Sequence, residues 1–422
     1  MLKRFFKDTN KKDILAWSLF DFANSSYTLL ILSFVFPIYF REVIAGGSAM
    51  ADFWWGLAVS ISILIGGILS PIIGAIADYD TRKKQKFILF SCLAIIGTAA
   101  LYFVGSNMLV FGLFLFIITN VCFEIAQTLY DSFLLHVSTE ETSGRISGLG
   151  WGLGYLGGVI SLLLLRPLYE NGYAGGLESL YKLTFPLTAL FFFLFALPSF
   201  IVLKENRQGK EKESIFKLIK IGFSNVKRTL KEIKSHKKIA WFLLGFYLLN
   251  DALVTIFTFL PIYARTTIGM SFQEIIIIML IVQLIGFPAT VFFGWLSDKK
   301  DPRKILLFTI FVWALITLGM AISPSKVGFY IAAIPAGFVI GSSQAVARSW
   351  FSKLIPKEKA SEFFGFNGFA SKVAATTGPL LFGIVSMVTA SQRMAILTIL
   401  PYFVISFFIF FKLKDKKMIK EY

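Results

Sequence analysis

The residues best able to do chemistry in this chain are ionisable side chains that interrupt long apolar stretches. They are Asp21, Glu124, Asp131, Asp251, Arg348 and Lys372. A charge at the centre of a bilayer costs about 2.5 to 3.5 kcal/mol on insertion scales, so each needs a partner, a water-filled cavity or a function. These six positions are therefore the first candidates for binding a solute or a proton.

Glu124 and Asp251 are the strongest candidates for binding a proton or the ammonium group of a solute, and Asp21 is the third. A helical rise of about 1.5 Å per residue puts Glu124, Asp251 and Lys372 near mid-membrane. A carboxyl group withdrawn from water exchanges a proton readily near neutral pH. Lys372 offers the opposite charge for a carboxylate or another anion. The alternative is a permanent ion pair between one of the acids and Lys372.

A polar stripe follows the fourth apolar stretch. Asn120, Glu124, Gln127 and Asp131 are spaced by four, three and four residues, which puts them on one face of a helix. We predict that this face lines a cavity, and the alternative is a row of hydrogen bonds between helices. Further candidates for solute contact are Asn24, Tyr27, Trp151, Asn250 and Asn367. The polar run from Asp21 to Tyr27 also predicts an irregular first helix beside a cavity.

The composition indicates which elements position these residues. The chain has 422 residues, 56% of them hydrophobic and 16% aromatic, with a mean hydropathy of +0.72. One soluble core does not hide that much apolar surface, so lipid must be the solvent for much of it. A spanning helix takes roughly 20 apolar residues. Twelve such stretches are present, six before and six after the basic segment 204–238.

The two halves of the chain repeat each other. Residues 74–84 and 294–304 share a glycine, an acid and a basic turn, and the segment Pro37–Arg41 recurs as Pro261–Arg265. Such recurrence indicates duplication of a six-helix unit. We predict an all-α membrane protein with twelve transmembrane helices in two pseudo-symmetric bundles, 1–203 and 239–422, joined by a cytoplasmic linker, 204–238. The site is expected between the bundles at mid-depth.

The net charge of +17 suggests nucleic acid only if its location is ignored. Most Lys and Arg residues lie in the tails, the linker and the loops on one side. Six lie near the other side: Arg41, Arg166, Lys182, Arg265, Lys326 and Arg393. This bias predicts cytoplasmic termini and a multi-pass protein of the plasma (inner) membrane. The linker is predicted to hold one or two surface helices. Topology alone is the favoured explanation of its basic charge, and the alternative is contact with anionic lipid headgroups.

The repeated turn resembles the loop signature of the major facilitator superfamily. The turn residues predicted to steady a closed inner gate are Asp78, Arg82, Asp298 and Arg303. The resemblance implies that Asp131 pairs with Arg82. The alternative is that Asp131 faces Arg348, its counterpart in the second half, across the two bundles.

Three further segments resemble one branch of that superfamily closely. They are Trp17–Tyr27, the glycine-rich run Gly144–Gly158 and Glu362–Phe366. The branch is the autophagy-related vacuolar effluxer-like, or "unknown major facilitator", family. The resemblance implies twelve helices, alternating access and, for the vacuolar members, export of amino acids. The glycines themselves lie in an apolar helix with no preceding strand, so they predict close helix packing rather than a nucleotide loop.

These observations predict a secondary transporter of a small polar or zwitterionic, amino acid-like solute, with proton coupling left open. The alternatives are an exporter of amphipathic compounds, such as drugs or lysolipids, and a non-transporting membrane receptor. The sequence shows no phosphate-cradling loop, nucleophile-base pair or metal cluster, so we expect no enzyme, no cofactor and no metal. The expected partners are a small molecule, membrane lipid and protons, with no nucleic acid and a monomeric state.

Overall fold

The computed structural model describes residues 11–79, 83–138, 143–204, 215–322, 325–355 and 360–413. Within these ranges the regular secondary structure is entirely helical. Twelve helical segments are long and apolar enough to cross a membrane. The predicted all-α membrane protein with twelve spans is therefore confirmed.

The spans are numbered here in chain order. Spans 1 to 6 are Lys11–Ile44, Ala49–Leu69, Lys83–Phe103, Leu109–Ser132, Leu149–Tyr173 and Glu178–Val202. Spans 7 to 12 are Lys237–Thr266, Phe272–Ser297, Pro302–Ile322, Lys326–Phe351, Phe366–Thr389 and Gln392–Lys412. The helices of spans 2, 5, 8 and 10 are longer than the spans, at Ala49–Tyr79, Ser143–Ala174, Phe272–Lys299 and Lys326–Leu354.

The contacts divide the chain into two compact units. The first contains Met1–Gly46 and Ile61–Asn225, and the second contains Gly47–Ser60 and Val226–Tyr422. The beginning of span 2 therefore packs with the second unit, although the rest of the same helix belongs to the first. Sequence reasoning did not foresee this exchange, because it divided the chain only at the basic linker.

Span 1 is irregular just beyond its polar run, because Asp21–Ser26 itself lies in regular α-helix. An α-helix over Lys11–Ser26 gives way to a π-helix over Tyr27–Ser33. Phe34 has φ −126° and ψ −74°, outside the helical region, before the short helix Val35–Tyr39. π-helical turns are uncommon and frequently mark functional sites.

Span 11 is broken in its middle. Its first helical segment is Ala360–Ala374 and its second is Thr377–Thr389. Peptide groups freed inside a membrane span need partners from elsewhere in the protein, because lipid offers none. The break therefore has to be satisfied by neighbouring side chains.

The glycines of span 5 pack against span 1, which confirms their predicted role. A Cβ atom added at Gly157 would overlap the carbonyl oxygen of Phe22, and one added at Gly154 would lie 3.0 Å from Ser25 Oγ. These contacts bring the two backbones close enough to place the polar residues of span 1.

Gly157→Ala is expected to destabilise the protein by about 1 to 3 kcal/mol, because the new methyl group meets backbone that does not move aside. The matched control is Gly319→Ala in span 9, where nothing lies within 4 Å. That change should be neutral or slightly stabilising, since alanine favours helix. Thermal unfolding of both variants in nanodiscs measures the difference, and equal melting temperatures would contradict the packing role.

The predicted linker helix spans Ile215–Ser235. Its lysines at positions 217, 220, 227 and 231 and Arg228 are exposed. Contact of this helix with anionic lipid stays a prediction.

Candidate functional site

Spans 7 and 11 run side by side in the same direction within the second unit. Asn250 Nδ2 donates to the carbonyl oxygen of Ser371 at 3.4 Å. Further along, Phe259 stacks on Phe382 with ring centroids 4.0 Å apart. The order of the contacts is the same along both spans, so spans 7 and 11 are parallel.

Asp251 closes the break in span 11. Its carboxylate is 2% exposed and accepts hydrogen bonds from the Gly378 N–H at 2.9 and 3.0 Å. The Thr377 hydroxyl donates to Oδ2 of the same group. The carboxylate thus satisfies orphaned donors at a helix N-terminus, where the helix dipole also favours negative charge. Asp251 is held by Thr377 and Gly378 and not by Lys372, which removes the ion-pair alternative for this acid.

Three buried polar atoms lie on spans 7 and 11 at the level just before Asp251. They are the hydroxyl oxygen of Tyr247, Oδ1 of Asn367 and Oγ of Ser371, and none has a hydrogen-bond partner within the described parts of the chain. Asn250 contacts Ser371, and Tyr247 and Asn367 each lie about one turn before that contact on the two parallel spans, so the three residues fall within about one helical turn. Buried polar groups in folded proteins almost always have partners. The trio can offer hydroxyl donors and several acceptors to a polar molecule.

Lys372 adjoins this trio in sequence and is half-buried. Its ammonium group suits a carboxylate or another anion. The second unit therefore gathers predicted site residues Asn250, Asn367 and Lys372 with two that sequence reasoning missed, Tyr247 and Ser371. Spacing could have found both, because Tyr247 lies four residues before Asp251 and Ser371 four residues after Asn367.

In the first unit, a buried hydrogen-bond chain joins spans 1, 2 and 4. The Tyr27 hydroxyl donates to Asn120 Oδ1 at 3.2 Å, and Asn120 Nδ2 donates to Ser62 Oγ at 2.8 Å. Tyr27 also stacks on Phe123, with centroids 4.4 Å apart. Asn120 is fully buried, so its amide acts as a tie between helices.

A second chain of hydrogen bonds lies about two helical turns further along span 4. Asn24 Nδ2 donates to Gln127 Oε1 at 3.1 Å and to Asp21 Oδ1 at 3.4 Å. Gln127 Nε2 in turn donates to Asp131 Oδ1 at 3.4 Å. Asp131 is exposed and Asp21 is half-buried. This chain brings together two of the predicted solute contacts and two of the membrane acids.

Glu124 lies between these two chains. Glu124 is half-buried. A Cβ atom added at Gly66 of span 2 would lie 2.8 Å from the Cβ of Glu124, so the two helices are close at this point. Asn120, Glu124 and Gln127 therefore all contact spans 1 or 2. Helix-to-helix hydrogen bonding accounts for the two amides. The role of Glu124 in a cavity stays a prediction.

The predicted gate residues are described only in part. Arg82 and the side chains of Asp78 and Asp298 lie outside the described residues. Arg303 Nε lies 4.0 Å from Asp301 Oδ2, and its backbone N–H donates to Asp301 Oδ1 at 2.9 Å. The remaining candidates Arg348 and Trp151 are exposed. The pairing of Asp131 with Arg82 or Arg348 stays a prediction.

Twelve spans and buried polar groups on spans 1, 4, 7 and 11 are the features of a membrane transporter of the major facilitator type. The fold is similar to the crystal structure of a mutant of the nucleoside transporter NupG, with a TM-score of 0.73 over 96% of this chain and 100% of that one, at 14% identity. The family model "Vacuole effluxer Atg22 like" matches residues 55–422. The chain belongs to this family.

Two relatives agree with that membership. The uncharacterized MFS-type transporter YxiO of Bacillus subtilis (strain 168) is 28% identical over 412 residues, covering 96% of this chain and 94% of the relative. Autophagy-related protein 22 of Eremothecium gossypii is 23% identical over 397 residues, covering 85% and 76%. The protein is thus an integral, multi-pass transporter of the major facilitator type and not an enzyme.

Proposed function

We propose that the protein is a secondary transporter that moves a small zwitterionic, amino acid-like solute by alternating access. The observation that carries this proposal is the trio of buried, unpartnered polar atoms on Tyr247, Asn367 and Ser371. In a transport cycle these atoms acquire their hydrogen bonds from the solute. The free-energy cost of burying these atoms is lowest when a polar ligand forms hydrogen bonds with them.

The chemistry of these side chains specifies the solute. Lys372 and the hydroxyl donors of Tyr247 and Ser371 suit a carboxylate. Asn367 Oδ1 accepts a hydrogen bond from a solute N–H group. An apolar drug or lysolipid tail would leave all three atoms unpaired, at about 1 to 3 kcal/mol each. A polar solute is therefore favoured over an amphipathic compound.

Proton coupling is assigned to Glu124. Asp251 already holds the break in span 11, so its carboxylate is committed to Thr377 and Gly378. Glu124 is the other mid-span acid, and it is half-buried beside the hydrogen-bond chains of spans 1 and 4. An ionisable side chain inside a membrane span is a functional candidate by default, and proton relay is among the roles such residues have.

The membrane orientation is part of the same proposal. The excess of Lys and Arg in the tails and linker supports cytoplasmic termini. We assign the protein to the plasma membrane as a monomer. Impermeant labelling of a cysteine introduced in the C-terminal tail, in intact cells and in lysed cells, tests the orientation.

Counterflow in proteoliposomes tests solute class and coupling together. Purified protein is reconstituted with unlabelled amino acids inside and a radiolabelled amino acid mixture outside, with or without a pH gradient. We expect uptake by the wild type, a faster rate with the gradient, and loss of that acceleration in Glu124→Gln. Asp131→Asn is the matched control and should keep the acceleration.

Two results would contradict the proposal separately. Folded wild-type protein that takes up no labelled amino acid would remove the solute class. A Glu124→Gln variant that still responds to the pH gradient would remove the coupling role but leave the solute class intact.

A further inference from the structure

A buried carboxylate outside the candidate site holds the beginning of span 2. Asp52 is fully buried. Its Oδ2 accepts hydrogen bonds from Ser386 Oγ at 2.5 Å and from Gln392 Nε2 at 2.8 Å. Gln392 Oε1 accepts in turn from the hydroxyls of Thr266 and Thr267, at 2.8 and 2.6 Å. One carboxylate thus connects span 2 to span 11 and, through Gln392, to spans 12 and 7.

The backbones of spans 2 and 11 are in close contact around Asp52. A Cβ atom added at Gly383 of span 11 would lie 2.7 Å from the Asp52 carbonyl oxygen and 2.8 Å from Phe53 Cα. A Cβ atom added at Gly56 would overlap the carbonyl oxygen of Pro379. The two glycines, one on each helix, bring Asp52 within reach of Ser386.

The helix that carries Asp52 continues without a break from Ala49 to Tyr79. Residues up to Ser60 pack with the second unit, and residues from Ile61 pack with the first. Ser62, two residues later, accepts a hydrogen bond from Asn120 of span 4 at 2.8 Å. A continuous helix transmits displacement along its length, so movement of the part from Ile61 onward is passed to the end that Asp52 holds.

We propose that Asp52 is a positioning residue of the transport cycle. Its bonds to Ser386 and Gln392 clamp the segment Gly47–Ser60 onto the second unit in the conformation shown, and solute translocation requires the clamp to open. This inference rests on the proposed alternating-access transport. Hydrogen bonds to a charged acceptor are stronger than neutral ones, and burial strengthens them further. The clamp is therefore a determinant of how often the protein changes conformation.

Reversible cross-linking tests the clamp. In a Cys92→Ser and Cys122→Ser background, Asp52→Cys and Ser386→Cys are joined by a short, reducible bis-methanethiosulfonate. Cross-linking should stop counterflow of the radiolabelled amino acid mixture, and dithiothreitol should restore it. The matched control joins Glu274→Cys to Lys326→Cys, an exposed ion pair of 2.9 Å within the second unit, and should not affect counterflow.

A second measurement does not depend on transport. Ala51 is fully buried beside Asp52, so Ala51→Cys reacts with a maleimide only when the clamp opens. Adding Asp52→Ala should accelerate alkylation about tenfold, because two charge-assisted hydrogen bonds are lost. Asp52→Asn should give a smaller acceleration. The control is Ala196→Cys, a buried site in span 6, whose alkylation rate should not change.

The outcomes separate this inference from the proposed function. Counterflow that continues after Asp52→Cys is joined to Ser386→Cys, or an alkylation rate unaffected by Asp52→Ala, would overturn the clamp alone. Wild-type protein that transports no amino acid would overturn the proposed solute class, and faster alkylation in Asp52→Ala would still support the clamp.

Discussion

Asp251→Ala is expected to abolish counterflow and to lower the free energy of unfolding by about 3 kcal/mol. The substitution leaves the Gly378 N–H and the Thr377 hydroxyl without their buried acceptor. Each hydrogen bond to a charged group contributes about 1.5 to 3 kcal/mol, and the orphaned donors carry a desolvation cost. Because these donors begin the second segment of span 11, we expect the break to lose its defined geometry.

Counterflow measures the loss of transport, and thermal unfolding in nanodiscs measures the loss of stability. Asp251→Asn should fall between wild type and alanine, since an amide oxygen can still accept from Gly378. The matched control is Asn250→Ala, the neighbouring residue, which loses one long hydrogen bond of 3.4 Å. An Asp251→Ala protein that melts with the wild type would contradict the capping role.

Tyr247→Phe is expected to weaken solute binding about tenfold while leaving stability unchanged or slightly raised. The Tyr247 hydroxyl is buried and has no hydrogen-bond partner within the described parts of the chain. Removing it therefore removes a desolvation cost without breaking an internal bond. In the complex, the same removal takes away a hydrogen bond to the solute, which is worth about 1.4 kcal/mol for a tenfold change.

The matched control is Tyr263→Phe, which should lower stability and leave solute binding unchanged. The Tyr263 hydroxyl, on the same span, donates to the carbonyl oxygen of Met320 at 2.7 Å. Tyr263→Phe should lower the melting temperature and leave affinity for the amino acid unchanged. Ligand-dependent thermal shifts report both quantities in one titration. If Tyr247→Phe destabilises the protein and keeps its affinity, the hydroxyl is a structural group and the site lies elsewhere.

The architecture follows from local properties of the chain. Hydropathy over about 20 residues predicts a span because lipid is the solvent and each helix satisfies its own backbone. The steps of four, three and four from Asn120 to Asp131 predict a common face because helical periodicity is fixed. The polar run at Asp21–Tyr27 is less informative, because Asp21–Ser26 is regular α-helix and the π-helix begins only at Tyr27.

The candidate site depends on contacts between distant residues. The sequence predicts that Asp251 is an acid near mid-membrane. It does not predict the partner of this carboxylate, which is the N-terminus of a helix more than a hundred residues later in the chain. The Gly378-Pro379 pair does mark a helix boundary near Ala375–Thr376 in the sequence, but no local pattern shows that Asp251 accepts from the donors freed there. The unpartnered atoms of Tyr247, Asn367 and Ser371 are defined by what surrounds them, and burial is a property of the assembled helices.

Asp52 shows most clearly the difference between what local sequence predicts and what tertiary packing determines. From composition alone, an acid in the first turn of span 2 belongs to the solvated end of a helix. Close packing at Gly56 and Gly383 instead buries it completely against Ser386 and Gln392. The number, order and polar faces of the helices are determined by the local pattern of residues. Their partners, the side chain that holds the break in span 11 and the assignment of Gly47–Ser60 to the second unit are determined by packing between segments far apart in the chain, which local pattern does not encode.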